Sequence, residues 1–546
     1  MVILGVSSGH DSNICVVCDG NIILHVEKER LTRIRYDTGS MEEHIPSLLA
    51  TVGLRIDDID IVASSNPVWS HVPRTGRVTG AEYNHEAGVG HGTIDLCGKR
   101  YPIVQIGHHL GHAAYSYFLS PFRHADILTL DGGGNFSHGL FCRGFDNKIE
   151  VVDDLCEQTL GVLWCALSMR LFGNLFAAGK VMGLSAYGEP SILDAIVRAW
   201  GYTTTKGNCS VRLPFPDWDM IPNIPGIPKS LIAEYTSTEA ANAAASVQSL
   251  STKIVMDLID AYAGPESSDT LCLGGGVSLN CVTNEVVRQS GRYRDVFVGP
   301  AVNDAGLSIG FALYVWYCVM GNDRIDDHIN HHPPTPFLGP VYTKKELRKV
   351  VFATEVNEYF TRLIPDWREA NRIVAKLIAS GKIIGLWRGQ SESGPRALGN
   401  RSIVADPSDR STKDRINASI KFREGFRPLA PAVLAELASD FFEFSGNSPY
   451  MSFAPDANRT GAETFAAAVH VDGKARLQTV ADGWGRKFRH LIEEFKDITG
   501  IPGLVNTSLN TKGQPLAESP MDALETFRQS DLDGVLIEDT LVLKVE

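Results

Sequence analysis

Runs and alternations of apolar residues divide the chain into many short strands and a few longer helices. The opening "VILGV" is a continuous apolar run of strand length, and the polar loop "SSGHDS" follows it. "NICVVCDGNIILHV" reads as two strands joined at Asp-Gly-Asn, a composition suited to a tight hairpin. Runs before Asp131 ("ADILTL"), Gly274 ("DTLCL") and Pro300 ("DVFVG") predict further strands. Residues 238–262 and 305–319 predict helices, as does "GHHLGHAAYSYF" over 107–118. On that helix Leu110, Ala114, Tyr117 and Phe118 form an apolar stripe. His108 and His112 lie roughly 40° apart on a face nearly opposite Leu110. Strands mixed with helices predict an α/β fold.

The stretch "HHPPTPFLGP" (331–340) is too rich in proline to continue a helix and reads as a linker. It predicts an N-terminal domain of 1–335 and a C-terminal domain of 336–546. A strand, a phosphate-sized loop and a hairpin open the first part, and "LDGGG" and "LGGGVSLN" come later. That order predicts an actin-like, duplicated ATPase core whose loops hold nucleotide phosphates on backbone N–H groups.

Composition narrows the function classes. The chain has 546 residues, 44% hydrophobic and 21% charged, which is a globular composition too long for one core. A net charge of -13 argues against nucleic acid and membrane surfaces as partners. The opening lacks the charged start and long apolar run of a signal peptide, and no apolar stretch reaches spanning length. Cys15 and Cys18 fall on opposite faces of one strand, and the ten cysteines have no regular spacing. A reducing cytoplasm is the expected compartment.

Two constellations carry chemistry. His108 and His112, one turn apart, could chelate an ion together with Asp131, at a predicted strand tip, and Asp304, at a predicted helix start. A helix N-cap is the alternative for Asp304, and His109 reads as a structural or supporting histidine. Two imidazoles and two carboxylates suit Fe(II), Mn(II) or Zn(II). In the C-terminal part, residues 382–427 hold ten Lys or Arg against five Asp or Glu, set among Gly, Pro, Ser and Asn. Guanidinium forks beside small residues suit a pocket for several phosphate oxygens.

These motifs lead to a family. "GHDSNICVV", "EKERLTRIRYD", "HHLGHAA", "LDGGG", "GKVMGLSAYG" and "LGGGVSLN", then "ESGPRALGNRSI", "KFREGFRPLAPAV", "HVDGKARLQTV" and "NTSLNTKGQP", run nearly end to end. In this order they resemble the NodU/CmcH/TobZ O-carbamoyltransferases, which carbamoylate hydroxyls of antibiotics and other natural products. The resemblance implies an actin-like N-terminal domain similar to tRNA threonylcarbamoyl transferases and a YrdC-like C-terminal domain. It implies that carbamoyl phosphate and ATP, with its Mg(II), form carbamoyl-adenylate in the second domain. The first domain then transfers the carbamoyl group to a small-molecule hydroxyl acceptor.

By motif match, Arg388, Arg396, Lys421, Arg423, Arg427, His470, Arg476, Asn506, Ser508 and Asn510 would hold carbamoyl phosphate and ATP. His108, His112, Asp131 and Asp304 would hold the divalent metal, with Fe(II) placed first. Gly133, Lys180, Gly274, Gly275, Gly276 and Asn280 would contact the nucleotide. His10, Asp11 and Arg35 would act on the carbamoyl group or the hydroxyl proton. The chain departs from the family pattern at Arg35, where Lys is usual, at Gln390, where Arg is usual, and at Gln514, where Glu is usual.

Two other readings compete: a threonylcarbamoyl-type tRNA-modifying enzyme, and a non-catalytic actin-like nucleotide-binding protein. A low basic excess speaks against the first, and the full metal set and phosphate cradle against the second. Long irregular stretches at 65–92 and 201–230, with Trp69, His85, His91, Trp218 and Asp219, are the candidates for acceptor specificity. Monomer and homodimer are both left open.

Overall fold

Two sheets in the N-terminal half repeat one strand order. The first contains β1 (Val2–Ser7), β2 (Asn13–Cys18), β3 (Asn21–Glu27), β4 (Ile61–Ser65), β5 (Arg77–Asn84), β6 (Val89–Leu96) and β7 (Lys99–Ile106), in the order β3-β2-β1-β4-β7-β6-β5. The second contains β8 (His124–Gly134), β9 (Ser137–Phe145), β10 (Lys148–Asp154), β13 (Thr270–Gly274) and β14 (Asp295–Val298), in the order β10-β9-β8-β13-β14. In both, a three-strand antiparallel meander is joined along its first strand to two parallel strands. Parallel neighbours and covered faces explain why β1 and β13 are apolar runs rather than alternating ones. The β2–β3 turn has Asp19 and Gly20 both at positive φ, the geometry that matches strand twist.

This computed structural model describes residues 1–65, 75–84, 88–134, 137–200, 202–205, 208–210, 237–325, 334–353, 359–483 and 485–545. Within them β11 (Thr203–Thr205) and β12 (Asn208–Ser210) form a small hairpin. An eight-stranded mixed sheet contains β15 (Tyr359–Leu363), β16 (Ile384–Trp387), β17 (Arg401–Ala405), β18 (Ala430–Leu434), β19 (Gln478–Val480), β20 (Gly503–Ser508), β21 (Gly534–Ile537) and β22 (Thr540–Lys544). Its order is β15-β22-β21-β16-β17-β20-β18-β19. The architecture is mixed α/β throughout. Trp69, His85, Trp218 and Asp219 lie outside the described residues, whereas His91 is an exposed residue of β6.

The helix bearing the histidines, α1 (His108–Phe118), has ten of its eleven residues buried, so it is not the half-exposed amphipathic helix that the apolar stripe predicts. It crosses a second helix, α4 (Leu307–Tyr314), at backbone distance. A Cβ at Gly111 would stand 2.3 Å from the Phe311 ring, and one at Gly310 would stand 2.0 Å from the Gly111 carbonyl oxygen. The predicted 305–319 helix is three pieces: a 3-10 turn Asp304–Gly306, α4, and a π turn Val315–Val319. The 238–262 helix, α2 (Thr238–Tyr262), begins behind Ser237, whose hydroxyl accepts from Ala240 N–H. A third helix, α3 (Cys281–Gln289), follows the "LGGGVSLN" loop.

The described end of the proline-rich stretch is a packed seam rather than a free linker. Leu338 is buried, its carbonyl accepts from His25 N–H at 2.7 Å, and its N–H donates to Ser391 C=O at 3.1 Å. The largest apolar core runs across that seam, joining Tyr115, Phe118 and Phe311 to Leu338, Phe426, Phe453 and Leu477.

Candidate metal centre and cationic cluster

α1 and two loop ends bring four side chains to one point. His112 Nε2 lies 3.2 Å from His108 Nε2, 3.1 Å from Asp131 Oδ2 and 3.2 Å from Asp304 Oδ1, and His108 Nε2 lies 3.5 Å from Asp304 Oδ1. All four donor atoms fall within 4.8 Å of one another. Bonds of about 2.0–2.2 Å to a central ion put neighbouring ligand atoms about 3.0–3.5 Å apart, and the four measured separations match. Asp304 Oδ1, buried, has no hydrogen bond despite two imidazoles beside it. A buried carboxylate oxygen without a hydrogen-bond partner, within 3.5 Å of two imidazole nitrogens, fits an ion at the centre of the set.

Local sequence explains the convergence. β8 continues to Gly134, but its ladder with β9 breaks between Leu130 and Gly134. Asp131 therefore sits in an irregularity inside the strand, not at the strand tip that the sequence predicts. Gly276 N–H donates to Asp131 Oδ2 at 2.8 Å, tying the two glycine-rich loops together. Asp304 opens the 3-10 turn, where Asn303 holds the cap position and no side chain caps. The N-cap alternative for Asp304 is therefore set aside. Asn13 clamps that turn: its Nδ2 donates to Asp304 C=O at 2.9 Å, and its Oδ1 accepts from Ser308 N–H at 3.1 Å.

Electrostatics follow from the crowding. Burial alone would depress His112, but Asp131 and Asp304 outweigh it and raise the group to about 9. Burial would raise Asp131; His112 and His108 hold it well below the usual carboxylate range. Burial lowers His108 below the ordinary histidine value. His10 is the open member, its side chain 42% exposed, with Nε2 3.2 Å from Asp304 Oδ2 and Nδ1 3.4 Å from Asp11 Oδ2. Asp11 in turn accepts from Asn303 Nδ2 at 3.0 Å. Buried His109 stays outside the cluster.

The other predicted residues separate into two sets. Arg396, Lys421, Arg423, Arg427 and Arg476 form one cluster: burial lowers each, and most are lowered further by the others. Among the described residues only Arg427 has a carboxylate within ion-pair distance, Glu424 at 3.9 Å. Arg35 from the N-terminal half also bears on Lys421 and Arg427. His470 lines the same region, its Nε2 3.2 Å from Phe426 C=O.

Some predicted contacts are already committed within the protein. Lys421 Nζ donates to Ser508 C=O at 2.6 Å and Oγ at 2.9 Å and to Asn510. Asn506 Nδ2 donates to Ala397 C=O at 3.0 Å and Gln478 Oε1 at 2.8 Å. Asn280 caps α3, its Oδ1 accepting from Thr283 N–H and its Nδ2 donating to Gln248. Lys180 pairs with Glu424 at 2.8 Å, across the seam. Arg388 is turned away from the cluster, donating to Asn371 Oδ1 at 2.8 Å, and Gln390 donates to Gly339 C=O at 2.8 Å. Gly276 lies against the Asp131 carboxylate, Gly133 against His138, Gly274 against His112 C=O and Gly275 against Leu130, with Gly275 N–H donating to Val302 C=O.

Sequence reasoning missed Asn13, Asn303, Tyr36, Phe176 and Glu424. The pattern "GHDSN" placed Asn13 next to candidate residues; the others have no local signature.

A family profile described as carbamoyltransferase N-terminus matches residues 2–68 and 82–313, and one described as carbamoyltransferase C-terminus matches 375–544. Nodulation protein NolNO of Sinorhizobium fredii is 32% identical over 98% of this chain and 79% of its own length. Nodulation protein U of Azorhizobium caulinodans is 28% identical over 93% of each. The solved structure of T. kodakarensis HypF aligns with TM-score 0.31 and 14% identity, over 58% of this chain and 48% of its own.

Proposed function

Because the chain belongs to the carbamoyltransferase family and is a carbamoyltransferase enzyme, we propose that it is an ATP-dependent O-carbamoyltransferase working in two steps at two sites. Water splits carbamoyl phosphate into carbamate and phosphate. The carbamate oxygen attacks the α-phosphorus of Mg(II)-ATP, pyrophosphate leaves, and carbamoyl-adenylate forms. A hydroxyl of a small natural product then attacks the carbamoyl carbon, the C–O bond to AMP breaks, and the hydroxyl proton is lost.

The observation that carries the first step is the cluster of Arg396, Lys421, Arg423, Arg427 and Arg476 with a single carboxylate among them. Five neighbouring cations repel one another unless an anion arrives, and the same charges stabilise phosphates as negative charge builds. Arg427 and Arg476 engage the phosphates. Lys421, bound to Ser508 and Asn510, shapes the loop they face.

For the second step, His108, His112, Asp131 and Asp304 would hold a divalent ion, Fe(II) with Mn(II) or Zn(II) as alternatives, whose Lewis acidity toward the adenylate phosphate assists departure of AMP. Burial would lower His10, but Asp304 and Asp11 outweigh it and raise the group to about 10, so it stands as an imidazolium that polarises the carbamoyl carbonyl. The repeated strand order supports an actin-like reading of the N-terminal half, and the C-terminal half is read as YrdC-like.

Purified protein given ATP and carbamoyl phosphate tests the proposal. Pyrophosphate is expected without any acceptor, and a carbamate ester when a hydroxylated acceptor is added. Absence of pyrophosphate under these conditions would refute it.

A further inference from the structure

A line of side chains leads from the candidate metal site toward the cationic cluster. It runs from Asp304 to His10 at 3.2 Å, from His10 to Phe176 at 5.3 Å between ring centres, and from Phe176 to Tyr36, stacked at 4.5 Å. Arg35 closes it, its Nη2 donating to Tyr36 Oη at 2.8 Å and its guanidinium lying 4.7 Å over the Tyr36 ring. Tyr36 Oη donates onward to Phe176 C=O at 3.2 Å. At the far end, the Arg35 guanidinium stands close enough for its charge to bear on Arg427 and Lys421.

Two features mark this line as more than packing. Tyr36 has φ 56, a backbone conformation that bulky residues rarely adopt, and Glu29 Oε2 holds it there by accepting its N–H at 2.9 Å. Phe176 leaves 41% of its surface exposed although one face is stacked. A tyrosine held in the left-handed region and a partly exposed phenylalanine thus stack beside His10, on the side toward Arg35.

We propose that Tyr36 and Phe176, braced by Arg35, are positioning residues that form the threshold between the two sites, admitting carbamoyl-adenylate from the cationic cluster and keeping it from bulk water. This rests on the two-step reading. An intermediate that escapes is hydrolysed by water to carbamate and AMP, so a breached threshold spends ATP without carbamoylating anything.

The test is a single turnover of the full chain, in excess over ATP, with saturating carbamoyl phosphate and no acceptor. Rapid ultrafiltration then gives carbamoyl-adenylate plus its hydrolysis product AMP in the filtrate, as a fraction of pyrophosphate formed. Phe176→Ala is expected to raise that fraction at least fivefold and Phe176→Trp, which keeps a stacking ring, to restore it. Phe176→Leu is the second truncation, and circular dichroism checks the fold of each. A filtrate fraction within twofold of wild type in both truncations would overturn the threshold while leaving the two-step reading intact. No pyrophosphate from the wild type would instead sink that reading, and the threshold with it.

Discussion

His112 is the residue on which the candidate metal site depends, since its Nε2 is within 3.2 Å of donor atoms on His108, Asp131 and Asp304. Replacing it by alanine removes one ligand and leaves two buried carboxylates uncompensated. His112→Ala is expected to weaken divalent-metal binding by about 100-fold or more, read as metal content after chelation and reloading. Asn303→Ala, which only frees Asp11, should cost about 10-fold, the scale of lost supporting contacts. Equal metal content in both variants and wild type would contradict the assignment. The clustering of the four side chains was legible in the sequence because imidazoles and carboxylates carry their chemistry in their names and His108 and His112 share a helical spacing. Asn13 and Asn303 were not: each works through a partner about 290 residues away, and an asparagine in a loop gives no sign of that.

The histidine helix is held at its far end by Arg324, whose guanidinium donates to the carbonyls of Tyr117, Phe118, Ser120 and Phe122 and lies over the Tyr117 ring. Phe118 ends the helix, where carbonyls lack intrahelical partners, Ser120 and Phe122 belong to the turn after it, and a cation there also suits the helix dipole. Arg324→Leu should therefore cost about 2–4 kcal/mol, read by urea unfolding. Gly111→Ala should cost about 1–3 kcal/mol by forcing Phe311 away. Elements with a long, regular period were well read, as α2 shows from Thr238 to Tyr262. The 305–319 segment was read as one helix because the difference between 3-10, α and π hydrogen bonding leaves no mark on apolar periodicity. The burial of α1 on nearly every side was hidden because Gly111 and Ser116 give no apolar signal, although α4 closes over the first and Gly274 of β13 over the second.

At the scale of the whole molecule, the halves are stitched by polar contacts as well as by the shared core. His25 Nε2 donates to Ala305 C=O at 2.7 Å, which leaves Nδ1 to accept from the Ser393 hydroxyl at 2.9 Å. Arg30 donates to Gly394 C=O at 2.6 Å, and Lys180 meets Glu424 at 2.8 Å. Burial drives His25 down to about 4 from the ordinary value near 6.5. The folded chain thus refuses a proton that the unfolded chain accepts, so this stability is full above pH 6.5 and falls as pH drops toward 4. The loss reaches roughly 3 kcal/mol. The urea midpoint should fall across that window in wild type and less in His25→Gln; parallel profiles would contradict it. Proline density at 331–340 could not reveal that Leu338 is a packed seam, because burial there is supplied by β3 and Ser391 from distant sequence. The division of labour between the sites is tested most directly by pyrophosphate release from ATP and carbamoyl phosphate in Arg427→Ala and His112→Ala. Release should drop at least 100-fold in Arg427→Ala and stay within about threefold of wild type in His112→Ala; equal loss in both, or the reverse pattern, would contradict two sites with separate tasks.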